Sequence, residues 1–128
     1  SNVVKDMGNR PVVIRTLDLG ADKMGLSRSA HEENNPFLGL RSIRMSLRNP
    51  ALFRIQLRAI LRAANEGDIR VMFPMISTLD ELRNARFILR TVTDDLREDG
   101  YQVRNDIPIG MMVEVPSAVM MLDRFVKE

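Results

Sequence analysis

The chain has no cysteine among its 128 residues. That removes a disulfide framework and any thiolate zinc site, and it fits a reducing compartment. Aromatic residues make up only 5% of the sequence, too few to build a platform on which nucleobases stack. Neither sign of charge dominates: 19 basic residues stand against 17 acidic ones, for a net charge of +2. This balance gives no electrostatic footprint for nucleic acid. No apolar run approaches the roughly 20 residues needed to span a bilayer, and no secretory leader opens the sequence. Internal repeats, low-complexity tracts and glycine loops of the Walker or dinucleotide type are missing as well. The expectation is a cytoplasmic protein with no nucleic-acid and no membrane partner.

What is present is a globular composition, 45% apolar and 28% charged. The length suits one domain, residues 1–128, and not two. Residues 12–17 form a short β-branched run behind Pro11 and predict a buried strand. A polar stretch without apolar periodicity follows, from Asp18 to about Asn35; connections this long within a compact domain are usually functional. Asn49 as cap and Pro50 at the first helical position open a helix with Phe53, Leu57, Ile60, Leu61 and Ala64 on one stripe. Gly67 is placed to stop it.

Residues 69–75 predict a second strand, with pairing ended by Pro74. Thr78 and Glu81 make a capping-box pattern ahead of Leu82, Ala85, Leu89, Val92 and Leu96, a helical spacing closed by Gly100. Residues 109–115 predict a third strand stopped by Pro116, and residues 117–127 a last helix. Strand and helix alternate three times, the pattern of parallel βα units whose strands are covered on both faces or line a barrel. A complete (β/α)8 TIM barrel takes about 250 residues. The predicted fold is therefore α/β: a partial TIM barrel of about three consecutive parallel βα units.

Ligands of parallel α/β folds bind at the carboxyl ends of the strands. Arg15, Thr16 and Asp18 lie at that end of the first strand, Glu114 at that end of the third, and Arg41 in the connection after the first. Arginine's planar fork grips phosphate or carboxylate at two points, and magnesium uses one or two carboxylates completed by substrate oxygens and water. The set suits a phosphorylated acid held with a divalent metal. Plainer readings stand beside this one. Arg15 equally suits an ion pair with Asp18 or Asp22, and Arg41, Arg44 and Arg48 share the spacing of a solvated helix face. Glu114 interrupts an apolar run in which an unpaired carboxylate is costly to bury. Arg70, near the start of its strand, reads as structural. The single histidine, His31, reads as an exposed loop residue. Met111, Met112, Met120 and Met121 read as core filler, and the charged run at 90–99 as a solvated face.

Four segments carry a resemblance: residues 13–23 (VIRTLDLGADK), 35–44 (NPFLGLRSIR), 70–76 (RVMFPMI) and 110–118 (GMMVEVPSA). In this order and at these separations they resemble the phosphoenolpyruvate-binding domain of the Enzyme I family, the phosphoenolpyruvate–protein phosphotransferases of the bacterial sugar phosphotransferase system. The resemblance implies a segment of a (β/α)8 barrel that binds phosphoenolpyruvate and Mg2+. It further implies transfer of the phosphoryl group to a histidine of a separate N-terminal domain and then to the carrier HPr, with release of pyruvate. By matching positions, Arg15 and Arg41 resemble the arginines on the substrate phosphate, and Glu114 resembles one of two magnesium carboxylates. Arg70 matches an arginine of the family pattern. Leu40 stands where a tryptophan is common.

The family's second metal carboxylate, its neighbouring asparagine, a further substrate arginine and the cysteine that protonates the enolate all match positions beyond residue 128. His31 does not match the phosphorylated histidine. No catalytic residue is therefore assigned within residues 1–128, and the segment alone is expected to be inactive. A homodimer is implied by the family. Two alternatives are a nitrogen-related Enzyme I paralogue with the same chemistry, and a non-catalytic ligand-binding or assembly module.

Overall fold

The structure, a computed structural model, describes residues 2–18 and 42–128. Its β-branched runs form three strands, β1 (Val12–Arg15), β2 (Ile69–Phe73) and β3 (Ile109–Met111). All pair in parallel in the order β1-β2-β3. Among the described residues six α-helices accompany them: α1 (Asn2–Met7), α2 (Ser42–Arg48), α3 (Pro50–Ala63), α4 (Leu79–Glu98), α5 (Pro116–Met120) and α6 (Leu122–Phe125). This is the expected α/β class with a parallel sheet. Each strand is shorter than the sequence suggests. The third differs most, ending at Met111 instead of 115, because β2 is its only ladder partner among the described residues. The last rung is the Met112 amide donating to the Phe73 carbonyl at 2.9 Å.

The two amphipathic helices form as their stripes dictate. Phe53, Leu57, Ile60 and Leu61 of α3 and Leu82, Ala85, Leu89, Val92 and Leu96 of α4 are all buried. They pack on Ile69, Val71 and Phe73 of β2, with the Phe53 and Phe73 rings edge-to-face at 6.1 Å. Pro50 occupies the first turn of α3 as expected, but the Asn49 side chain makes no capping hydrogen bond. Gly67 does not end α3 in a left-handed turn either: its backbone is extended, and a 3-10 turn over Ala64–Glu66 intervenes. What Gly67 provides is room, since a Cβ there would stand 2.7 Å from Val4 of α1. At the end of α4, by contrast, Gly100 adopts φ +84°. Its amide donates to the Arg97 carbonyl and that of Tyr101 to the Leu96 carbonyl, which is the Schellman arrangement.

The charged run at 90–99 is only in part a solvated face. Arg54 and Arg58 of α3 pair with Asp95 and Asp99 of α4, and Arg62 lies 4.7 Å from the Tyr101 ring centre. Successive turns of two co-directional helices are thereby laced together, each exposed pair contributing about 0.2–1 kcal/mol. The last helix is also not continuous. It breaks into α5 and α6 at Met121, where φ is −112° and ψ 15°. Met120 is 82% exposed and so is not core filler, whereas Met111 and Met121 do pack against the core.

Helix α2 has only seven residues, too few to persist without tertiary support. Ile43 is fully buried, and Arg44 supplies a latch. Its Nε donates to Glu81 Oε1 at 3.0 Å and its Nη2 to Ser77 Oγ at 2.8 Å. Glu81 Oε2 meanwhile accepts from the Ser77 amide, the Ser77 hydroxyl and the Thr78 amide. The predicted capping box is thus complete and extended to a second helix. Arg44 accordingly does not belong to a solvated face.

Burial alone pushes the Glu81 carboxyl up, but the hydrogen bonds from Ser77, Arg44 and Thr78 outweigh it and hold the group below its ordinary value. A depressed folded-state value means stability that is present above the unfolded-chain value of about 4.3 and lost as pH falls through the folded one. At pH 7, Glu81→Gln is expected to lower unfolding free energy by about 1–3 kcal/mol in urea titrations. The gap should narrow below about pH 4; an unchanged gap there would contradict the latch.

Among the described residues, the helices cover one sheet face only. Val12, Ile14, Ile69, Val71 and Phe73 turn toward them, while Val13, Arg15, Arg70 and Gly110 on the other face are exposed. Parallel sheets are normally covered on both faces, and Val13 is 55% exposed here. The 128-residue chain by itself is expected to self-associate at high concentration. Monodisperse monomer by light scattering would contradict that.

Candidate functional site

The carboxyl ends of the three strands lie on one side because the sheet is parallel. Arg15 ends β1 in register with Met72 of β2, which in turn is in register with Gly110 of β3. The guanidinium stands on the open face, its side chain 48% exposed. Nη1 lies 3.6 Å from Asp18 Oδ2 and 3.9 Å from the Met112 sulfur. The first contact is longer than a hydrogen bond and the second is to a soft, weak acceptor. Asp18 is thus the neighbour of Arg15, and among the described residues no acceptor stands within short hydrogen-bond reach of its fork. Met112, expected as core filler, instead touches this cation.

Thr16 is enclosed, with 1% exposure, and its Oγ1 has no hydrogen-bond partner among the described residues. It holds the strand end through its backbone amide, which donates to the Met72 carbonyl at 3.0 Å. The next amide, of Leu17, donates to Gln56 Oε1 of α3 at 3.1 Å. An amide of the helix layer thus fixes the direction in which the chain leaves β1.

Glu114 lies two residues past Met112, beyond the end of β3. The apolar run around Glu114 predicts a strand in which burial of this carboxylate would be costly. The structure instead leaves Glu114 exposed, because β3 has already ended and Val113 beside it is 49% exposed. It is not unpaired: Oε1 accepts the Met75 amide at 2.7 Å. That amide comes from the segment following β2, so Glu114 bridges the ends of two strands. Met75 has φ +58°, a left-handed conformation that costs a non-glycine residue about 1–3 kcal/mol. Nothing in the sequence foretold a methionine in that conformation.

Arg41 lies outside the described residues, as do Asp22, His31 and Leu40; α2 opens with Ser42, the residue after Arg41. Arg70 pairs with Asp68 at 3.1 Å near the start of β2, in keeping with a structural role. Among the described residues no group of three or more His, Cys, Asp or Glu gathers to hold a metal. Among the described residues Glu114 and Asp18 offer carboxylate oxygens at the carboxyl ends; Asp18 faces Arg15, and Glu114 is oriented by a backbone amide. One such carboxylate fits magnesium, which needs only one or two. Two open grooves, of about 380 and 310 Å3, flank the outer edge of β3 and contain neither Arg15 nor Glu114. No helix among the described residues is long and apolar enough to cross a membrane.

Comparison with known proteins gives this arrangement a family. Residues 1–128 match the family described as PEP-utilising enzyme, PEP-binding domain. The phosphoenolpyruvate-protein phosphotransferase of Priestia megaterium is 48% identical over 126 residues, covering 98% of this chain. Those of Staphylococcus carnosus and Staphylococcus aureus are 46% and 44% identical over the same length and share. The chain spans 22% of each of these relatives. The chain thus belongs to the PEP-binding domain family of the PEP-utilising enzymes, as a segment shared with the phosphoenolpyruvate–protein phosphotransferases.

Proposed function

We propose that this segment forms part of the phosphoenolpyruvate- and magnesium-binding site of a phosphoenolpyruvate–protein phosphotransferase. The whole protein would move the phosphoryl group of phosphoenolpyruvate to a histidine of its own N-terminal domain and then to HPr, releasing pyruvate. The observation that carries this reading is the half-exposed Arg15 fork on the open face of the parallel sheet, beside the chain that leads to Glu114. That face, uncovered among the described residues, supports placing the three strands in a (β/α)8 barrel, whose remaining strands would close over it. A cytoplasmic homodimer goes with this reading.

Phosphoryl transfer spreads negative charge over the moving group, so catalysis is chiefly positioning and neutralisation. Arg15 would grip the substrate phosphate in two-point geometry, exchanging its long contact with Asp18 for a short one with phosphate oxygen. Arg41 would add a second cation to the same group. Glu114 would hold magnesium, which when bound neutralises charge on the substrate oxygens. The chain's own contribution is thus binding and orientation. The group that protonates the enolate is not among these residues.

In the full-length protein, Arg15→Ala is expected to slow transfer from labelled phosphoenolpyruvate to HPr by about a hundredfold or more. Arg15→Lys should recover only part, since it restores the charge but not the fork. Undiminished transfer by Arg15→Ala would overturn the assignment. The 128-residue chain alone should form no pyruvate from phosphoenolpyruvate, and robust turnover by it would contradict the shared-site reading.

A further inference from the structure

We propose that Met75 is a positioning residue for Glu114, acting through its backbone amide; this rests on the reading of Glu114 as a metal ligand. The amide donates to Glu114 Oε1 at 2.7 Å across the gap between the ends of β2 and β3. A donor orients a carboxylate only as well as it is itself fixed. This one is fixed on both sides. Phe73, Pro74 and Ile76 are almost fully buried, and the Met75 side chain is 4% exposed. The strap from 73 to 76 therefore cannot swing without opening the core.

Its conformation is also unusual. Met75 sits at φ +58°, a region that a long side chain occupies only when its surroundings impose it. Here the left-handed turn aims the amide across at the neighbouring strand's carboxylate. The two features belong together: strain at Met75 is the geometric condition for the hydrogen bond to Glu114. With Oε1 engaged, the carboxylate is held in one orientation toward the open side. Preorganisation of this kind strengthens binding by removing freedom that a ligand would otherwise have to freeze.

Three substitutions in the full-length protein separate backbone conformation from packing. Met75→Leu keeps volume and conformation, Met75→Gly removes the packing but accepts a positive φ without strain, and the β-branched Met75→Val disfavours a positive φ while keeping more of the packing than Gly. Mn2+ affinity is read by electron paramagnetic resonance titration without turnover, alongside the Mg2+ activation constant and kcat at saturating metal. Thermal melts and circular dichroism confirm that each variant is folded. The expected result is about tenfold weaker metal binding for Met75→Val, with Leu and Gly variants within threefold of the parent. Equal metal affinity in the Val and Gly variants would overturn the proposal. Glu114→Gln serves as the separate control: if it leaves Mn2+ affinity intact, the metal-ligand reading fails. If it abolishes binding while Met75→Val behaves like Met75→Gly, only the positioning role falls.

Discussion

The arrangement depends on one asymmetry: among the described residues, the helices of this parallel sheet pack on one face. Burial of Phe53, Leu57, Leu61, Leu89 and Val92 against Ile69, Val71 and Phe73 holds the layers together. Because side chains alternate along each strand, that same burial forces Val13, Arg15, Arg70 and Gly110 onto the opposite face. A cation on a fully covered sheet would pay heavily for desolvation. On an uncovered face it keeps access to solvent or to a ligand. The placement of Arg15 is thus a consequence of the core packing of its neighbour Ile14, not an independent feature.

Parallel strands then bring their carboxyl ends to one side, and three polar contacts fix what emerges there. Gln56 of α3 takes the Leu17 amide and directs the exit from β1. Glu81 joins the start of α4 to α2 through Ser77 and Arg44. Glu114 takes the Met75 amide and ties the exit of β3 to that of β2. The first ties the exit of β1 to α3, the second ties α2 to α4, and the third ties the exit of β3 to that of β2. Strand ends held in this way suit phosphoryl transfer, in which correct placement of charge supplies most of the rate enhancement.

Much of this was legible in the residues. The stripes of α3 and α4, the Thr78–Glu81 box, the stop at Gly100 and the three parallel strands follow from periodicity and turn chemistry. The position of Arg15 at the end of an apolar run is legible in the sequence, whereas spacing alone leaves an ion pair with Asp18 and a ligand contact equally open. Other features were not legible, for physical reasons. Strand lengths depend on ladder partners, so β3 stops at Met111 although its sequence stays apolar to Val115. The burial argument for Glu114 failed with that boundary. Arg44 looked like a member of a solvated series because helical spacing cannot reveal a partner 37 residues away. The Met75 conformation depends on Pro74, Ile76 and the core around them, and methionine carries no local preference for it. Arg41 was named from its motif and lies outside the described residues.

The central claim is that the open carboxyl ends of this sheet hold the substrate phosphate and its metal. The most direct measurement is anomalous diffraction from crystals of the full-length protein grown with phosphoenolpyruvate and Mn2+. The account predicts manganese on the Glu114 carboxylate and phosphate oxygens within hydrogen-bond reach of the Arg15 guanidinium. Manganese and phosphate bound together elsewhere, with Arg15 still facing Asp18, would contradict it.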